Sequence, residues 1–298
     1  MFRIRIQNKK KCIWYCSAVV SFLLFLLLLG WTNHLANTQD AQQMAGRWSE
    51  KKDVAQISCF FSSKAEVTED TIQSFEYSLK NVLQEASITE TSENPSARLW
   101  VDAYSADGKI TLVNGKNTLD ANAIGIGGDF FMFHPLKLIT GAYFSGNDLM
   151  QDYCIIDQDA AWQLFGSNDV VGMTVYIGNV PHIVTGVVQR PDSRMDKAAG
   201  LNSTVVYVSY ETLSAYGTNN GINHYEIVMP NPVDEFAYGK VKEGIGIDEK
   251  NVEIVENSRR YSLPNRIKTI LAFGTRSMNG KAIIYPYWEN LARGYEDI

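Results

Sequence analysis

Residues 12–31 read CIWYCSAVVSFLLFLLLLGW, without a single charge, and this run constrains the chain more than any other feature. At about 1.5 Å of helical rise per residue, some 20 residues cross the ~30 Å hydrocarbon core of a bilayer. Arg3, Arg5, Lys9, Lys10 and Lys11 precede the run and no acid does. That bias predicts a cytoplasmic basic segment at 1–11, a membrane helix at 12–33, and delivery of everything beyond to the far side of the membrane. The rival reading is a cleaved signal peptide. Its apolar core would run about 7–15 residues and end in a small-x-small site. This run is longer, carries Trp14 and Trp31 near its two ends, and leaves through Thr32-Asn33-His34-Leu35-Ala36, which offers no such site.

Of 27 Lys and Arg, five precede the run, so 22 cations face 33 acids beyond it, a net charge of −11. Such a domain gains no counterion-release energy from phosphate, which argues against nucleic acid as a partner. It gains nothing from anionic lipid heads either. Cys12 and Cys16 belong to the membrane end. Cys59 and Cys154 lie among apolar neighbours in predicted strands and read as buried thiols rather than a disulfide.

Beyond the run, 34–52 is polar and helix-prone, with Ala41, Met44, Ala45 and Trp48 at helical spacing, and predicts a stalk helix. A strand is predicted at 55–62 and a helix at 69–86, with Thr68 as N-cap, Val67 stapled to Ile72, and an apolar stripe of Ile72, Phe75, Leu79, Val82, Leu83 and Ala86. Asn94-Pro95 breaks the chain before a strand at 98–105, and Asp107-Gly108 reads as a hairpin turn into 109–113. A second strand–helix–strand unit occupies 224–229, 233–243 and 252–256. The two units predict a split β-α-β layer, 53–128 with 222–260, around a mostly β insert at 129–221. Within the insert, strands are expected at 153–156, 174–177, 182–188 and 204–208, with a short helix at 159–165. A return helix at 263–273 follows, within a membrane-proximal segment expected over 261–298. Tyr285-Pro286-Tyr287-Trp288 suits an interfacial aromatic belt or, as readily, packing in a soluble core. The fold class is therefore α+β: a transmembrane helix and stalk, then the split layer with an inserted β-rich subdomain.

The sequence offers no catalytic, cofactor-binding or metal motif. His34, His134, His182 and His224 form no H-x-x-x-H pattern and no cysteine pair has zinc spacing. His134, before Pro135 in an aromatic stretch, reads as a packed residue. There is no G-x-S-x-G elbow. Gly125-Ile126-Gly127-Gly128 lacks the Lys-Ser/Thr of a phosphate loop and reads as a turn needing positive φ.

The stretch 124–188 resembles the extracytoplasmic core domain of MacB/FtsX-type ABC transporter permeases. The resemblance rests on Gly128, Asp129, Phe131, Phe133, Gly141 and Phe144, then Asp157, Ala160, Ala161, Leu164, Phe165 and Gly166, then Asp169, Gly172, Gly186 and Val187. These are structural signatures. The resemblance implies no catalytic residue and no cofactor. It implies an ABC ATPase and further permease spans as partners, in a homodimer or heterodimer, with the outer domain coupled to ATP hydrolysis. Full permeases of this type carry three more spans after the outer domain. This chain stops where the second span is expected, and so reads as half of a split permease, a truncated frame or a standalone single-span form. The alternative function is a single-span anchored binding, sensor or adhesion module.

Overall fold

The computed structural model describes residues 2–49, 53–89, 98–272 and 281–297, with side chains from 11 onward. They fall into two compact units, 1–39 and 40–298. The first is one helix, α1 (Phe2–Asn37), which at about 1.5 Å per residue is some 54 Å long. It starts well ahead of the apolar run and is apolar on all sides of that run, with Trp14, Phe22, Leu24 and Leu27 all more than half exposed. Among the described residues, 11–37 is the one helical stretch long and apolar enough to cross a membrane. A helix apolar all round needs an apolar surrounding.

The predicted stalk helix over 34–52 is corrected. α1 stops at Asn37, where Thr38 and Gln39 N–H bond back to the Leu35 and Ala36 carbonyls at 3.1 and 3.2 Å. A 3-10 turn (Asp40–Gln42) and the five-residue α2 (Met44–Trp48) follow; 50–52 lie outside the described residues. The cause is tertiary. Met44 and Ala45 are drawn into the core, and the Met44 N–H donates to Gln56 Oε1 at 2.8 Å instead of to a helical carbonyl.

In the second unit β1 (Val54–Phe61) leads to α3 (Glu69–Glu85), β2 (Val101–Asn114) and β3 (Asn117–Gly128). Then come α4 (Phe130–Phe133), β4 (Lys137–Gly141), β5 (Tyr153–Asp157), α5 (Gln158–Phe165), β6 (Thr174–Ile177), β7 (Val180–Gln189) and α6 (Arg194–Ala199). β8 (Val205–Ser209), α7 (Tyr210–Tyr216), β9 (Thr218–Asn219), β10 (His224–Pro230), α8 (Phe236–Gly244) and β11 (Val252–Glu256) follow. The chain closes with α9 (Asn257–Arg260), α10 (Leu263–Leu271) and α11 (Tyr287–Glu296). Position 273, the expected end of the return helix, and Asn94-Pro95 lie outside the described residues.

The strands form one mixed sheet in the order β11-β1-β10-β2-β3-β8-β5-β7-β4, with β6 and β9 at its side. β10 lies between β1 and β2, antiparallel to both, and β1 lies between β10 and β11. The two strand–helix–strand units therefore interleave rather than stand side by side, as in split β-α-β folds. The insert strands extend the same sheet through the parallel pair β3–β8.

α3 covers one face with Ile72, Phe75, Leu79 and Leu83, joined by Ala237 and Val241 of α8. They meet Ile57, Cys59 and Phe61 of β1 and Tyr225, Ile227 and Met229 of β10. Each such fully buried side chain contributes about 1.5–3 kcal/mol. Met44, Phe130, Phe133 and Trp288 cover Val101, Ala103 and Val228 on the other face. Trp288 is thus core rather than interfacial belt, 5% exposed. Cys59 and Cys154 are free, fully buried thiols, and burial pushes that of Cys154 up to about 12.

Two local expectations fail for one reason. Asp107-Gly108 is no turn but the middle of the long β2; the hairpin turns instead at Gly115-Lys116. Gly125-Ile126-Gly127-Gly128 is strand, and of its glycines Gly128 alone takes positive φ (64°). A Cβ on Gly108 would strike the Thr218 carbonyl, and one on Gly127 the Tyr104 ring. These glycines admit close neighbours inside a sheet rather than bend the chain.

Candidate functional site

Strand alternation places Gln56, Ser58 and Phe60 of β1 on one face, opposite Val228, Glu226 and His224 of β10. The result is a row of polar side chains, each no more than 2% exposed, inside the second core. Ser58 Oγ and Gln56 Nε2 donate to Glu226 Oε2 at 3.0 and 3.2 Å, and Asn257 Nδ2 donates to Ser58 Oγ at 2.7 Å. A second Gln56 Nε2 bond, to the Ala41 carbonyl at 2.7 Å, ties the row to the segment before α2. His134, just past α4, brings Nε2 into ion-pair range of Glu226 Oε1. Burial raises the Glu226 carboxyl, but the two histidines outweigh it and hold the group below its usual range. Burial pushes His224 down to about 4, so its ring is neutral near pH 7.

The family-like positions sit at the turns and packing points of the insert. Gly128 sits at positive φ (64°), and a Cβ there would lie 2.5 Å from the Asp102 carbonyl, so both conformation and space call for glycine. Asp129 pairs with Arg98 at 2.5 Å. Phe131 stacks on Tyr143 with ring centroids 4.6 Å apart and meets Phe144 edge-on; Phe133 is fully buried. Gly141 and Gly186 pair across β4 and β7. Leu164 is buried and Phe165 half-buried against it, and Gly166 closes α5 in the left-handed region. Asp169 is exposed, and the Gly172 N–H donates to the Val184 carbonyl at 2.8 Å.

Asp157 does the most of these. Its Oδ1 caps α5 by accepting from the Ala160 N–H at 2.8 Å, and its Oδ2 accepts from the Val205 N–H of β8 at 2.9 Å and pairs with Arg190 after β7. Arg190 also reaches Asp159 at 2.5 Å. Burial raises the Asp157 carboxyl above its usual range, with the two N–H groups and Arg190 pulling it back. Three elements of the insert meet at this one carboxylate.

A second junction fixes the C-terminal helix. Arg260, buried in α9, donates bidentately to Glu289 of α11 at 2.6 and 3.0 Å and to Glu296 at 2.6 Å. Arg293 joins Glu289 at 2.6 Å and Glu253 of β11 at 2.5 Å, and lies 3.9 Å from the centre of the Tyr285 ring.

Under α3, Glu76 and Asp102 share a half-buried site where Tyr225 Oη donates to Asp102 at 2.9 Å. Burial, then the nearby Asp102 charge, pushes Glu76 up to about 8. The unfolded carboxyl titrates near 4.3. A raised folded pKa means that the stabilisation is complete below about pH 4.3 and is lost as pH rises to about 8. Glu76→Gln is accordingly expected to stabilise the domain at pH 8 by about 1 kcal/mol, allowing for solvent screening at a half-exposed group. The melting temperature should rise by about 2–4 °C at pH 8 and stay nearly unchanged at about pH 4, below the unfolded value. Thermal unfolding of the parent and the Glu76→Gln variant at both pH values checks this.

The model for the MacB-like periplasmic core domain matches residues 21–254, most of the chain. The chain belongs to that family. The macrolide export ATP-binding/permease protein MacB of Chromobacterium violaceum is 32% identical over 99 residues, which cover 33% of this chain and 15% of the relative. That of Neisseria gonorrhoeae is 33% identical over 85 residues, covering 28% and 13%. The chain thus spans only a small part of the curated relatives it matches. Among solved structures, the periplasmic region of MacB from Actinobacillus actinomycetemcomitans aligns with a TM-score of 0.44 and 20% identity over 73% of this chain and 92% of that one. The extracellular domain of the noncanonic ABC-type transporter YknZ from Gram-positive bacteria aligns at 0.43 and 17%, over 67% and 99%.

In this MacB-like periplasmic core domain, sequence reasoning missed the buried group His134, His224 and Glu226, whose ligand atoms lie within 4.8 Å of one another. The available signal was His224-Tyr225-Glu226, two polar groups two apart on a strand and hence on one face. His134 joins them only through the fold.

Proposed function

We propose that this chain is the extracytoplasmic domain and membrane helix of an ABC transporter permease-type component, working with an ABC ATPase and further membrane spans. The observation that carries the reading is the extent of the family match, which starts inside the apolar helix at 21 and runs through β10 into β11 at 254. Helix and domain are thereby one family unit. The basic residues ahead of the run favour a cytoplasmic N-terminus, and MacB relatives are named for export and ATP binding. In this reading the split layer, 53–128 with 222–260, carries the insert, 129–221. The signature residues hold turns and packing there rather than touch a ligand; Asp157 and Gly166 are used in this way. The role is coupling, with no reaction catalysed by the domain itself. Coupling between distant sites needs an element with two arrangements, and the chain leaves α1 through Thr38 and Gln39 rather than through a continuous helix.

A tagged chain purified from membranes in mild detergent tests the proposal, with co-purifying proteins identified by mass spectrometry. An ATP-binding protein and a multi-span protein in stoichiometric yield are expected. Recovery of the chain alone would overturn the coupling role and leave an anchored binding module.

A further inference from the structure

We propose that His134, His224 and Glu226 form a buried site for a divalent first-row metal ion of the zinc class. The three residues are 3%, 1% and 1% exposed, so water does not serve them. Each neighbouring bond leaves a ligand atom unspent. Glu226 Oε2 accepts from Ser58 and Gln56, which leaves Oε1. His224 Nδ1 faces Ser105 Oγ at 3.4 Å, which leaves Nε2. Neither ring nitrogen of His134 has a hydrogen-bond partner, although Nε2 lies against Glu226 Oε1 without the alignment of a hydrogen bond. Glu226 Oε1 and His224 Nε2 are likewise buried without hydrogen-bond partners. Orphaned buried polar atoms of this kind each cost stability. Here they converge on one another.

The donor set suits the ion. Two neutral imidazoles and one carboxylate are borderline donors of the type that holds zinc, at about 2.0–2.2 Å per bond after a small outward shift of the rings. Ser105, Ser58 and Gln56 orient the ligands from behind, as outer hydrogen bonds do at metal sites. Phe60 stacks on His224 at 5.1 Å, and the Phe130 and Trp288 rings lie 4.6 and 4.1 Å from His134. This apolar wall closes the site, so the ion would enter as the chain folds and its binding energy would count toward folding. One metal would then bolt β10 to the α4 corner, which carries Phe131 and Phe133.

The test uses the full chain, purified in detergent from cells grown with zinc and without chelators. Elemental analysis is expected to find about one zinc per chain. Chain refolded with CoCl2 should show the visible bands of a tetrahedral or five-coordinate site with nitrogen and oxygen donors. Glu226→Gln, which keeps volume, and His134→Phe each delete a ligand and should abolish stoichiometric zinc binding, a larger loss than the roughly 10- to 100-fold that follows removal of an outer-shell partner. His182→Gln, at a histidine bonded instead to Thr212, should leave it unchanged. Should the two variants fail to fold, the cobalt spectrum of the unaltered chain decides. Zinc well below one equivalent, no cobalt bands on refolding, and no rise in melting temperature with ZnCl2 would overturn the site. A proton, not a metal, would then bridge His134 and Glu226.

Discussion

Arg260→Ala is expected to destabilise the folded domain by about 3 kcal/mol and to free α11 before any other element. The guanidinium is 6% exposed and holds Glu289, which is fully buried, through two hydrogen bonds, and Glu296 through a third. Burial alone lowers the pKa of such a group, yet Glu289 and Glu296 raise it well above its usual value, so the cation is firmly held. Removing one partner of a buried pair costs about 3–5 kcal/mol, because the other charge is left behind in the interior. The lower end applies here, since Arg293 still reaches Glu289 at 2.6 Å and Glu296 can turn to water. Denaturant unfolding measures the loss, and hydrogen exchange should show 287–296 losing protection first. Arg260→Lys keeps the charge but not the fork, and should recover only part of the stability. A loss under 1 kcal/mol for the alanine variant would mean that α11 is held by Trp288 and Ala292 packing instead.

Asp157→Ala is expected to cost about 3 kcal/mol and to loosen the insert while sparing the split layer. The substitution orphans two buried N–H groups, of Ala160 and Val205, at about 1–3 kcal/mol each. It also removes one of Arg190's two carboxylates, though Asp159 stays within 2.5 Å. Since burial already pushes the Asp157 carboxyl above its usual range, its hydrogen bonds matter more than its charge. Asn is no remedy. Its single oxygen can serve Ala160 or Val205, and its amide would face a donor at the other position. Both variants should therefore fall below the parent in denaturant unfolding, with Asn losing at least half of what Ala loses. Parent-like stability in the Asn variant would show that the β8 bond is dispensable.

The periodic elements were readable from the residues alone. α3 begins after Thr68 and buries Ile72, Phe75, Leu79 and Leu83, because a 17-residue amphipathic helix advertises its stripe. Val82 is only half-buried and Ala86 exposed, at the edge where the stripe leaves the sheet. β10 and β11 lie where the apolar pattern places them, and α8 starts at Phe236, three residues later than the expected 233. The misreadings came where local chemistry and tertiary need point different ways. Asp107 and Gly108 have turn chemistry, but Asp107 is bonded by Asn223 and Gly108 makes room for β9. The stalk pattern was genuine, but Met44 found a better partner in the core than in solvent. The histidine site was invisible for a third reason, since ninety positions separate His134 from His224 and no spacing rule spans them.

The interleaving of β1 between β10 and β11 also sets an order of events in time. Gln56 and Glu226, which touch in the sheet, are 170 residues apart in the chain. At about 5–20 residues per second of synthesis, β1 waits on the order of 10–30 s for its first strand partner. Through that interval Ile57, Phe60 and Phe61 have no sheet to enter, while β2, β3 and the insert strands from β4 to β8 can already assemble among themselves. The nascent chain thus passes through a stage with a finished middle and an unfinished beginning. Its dependence on a holding chaperone should end abruptly once residue 230 has emerged, rather than decline gradually with length.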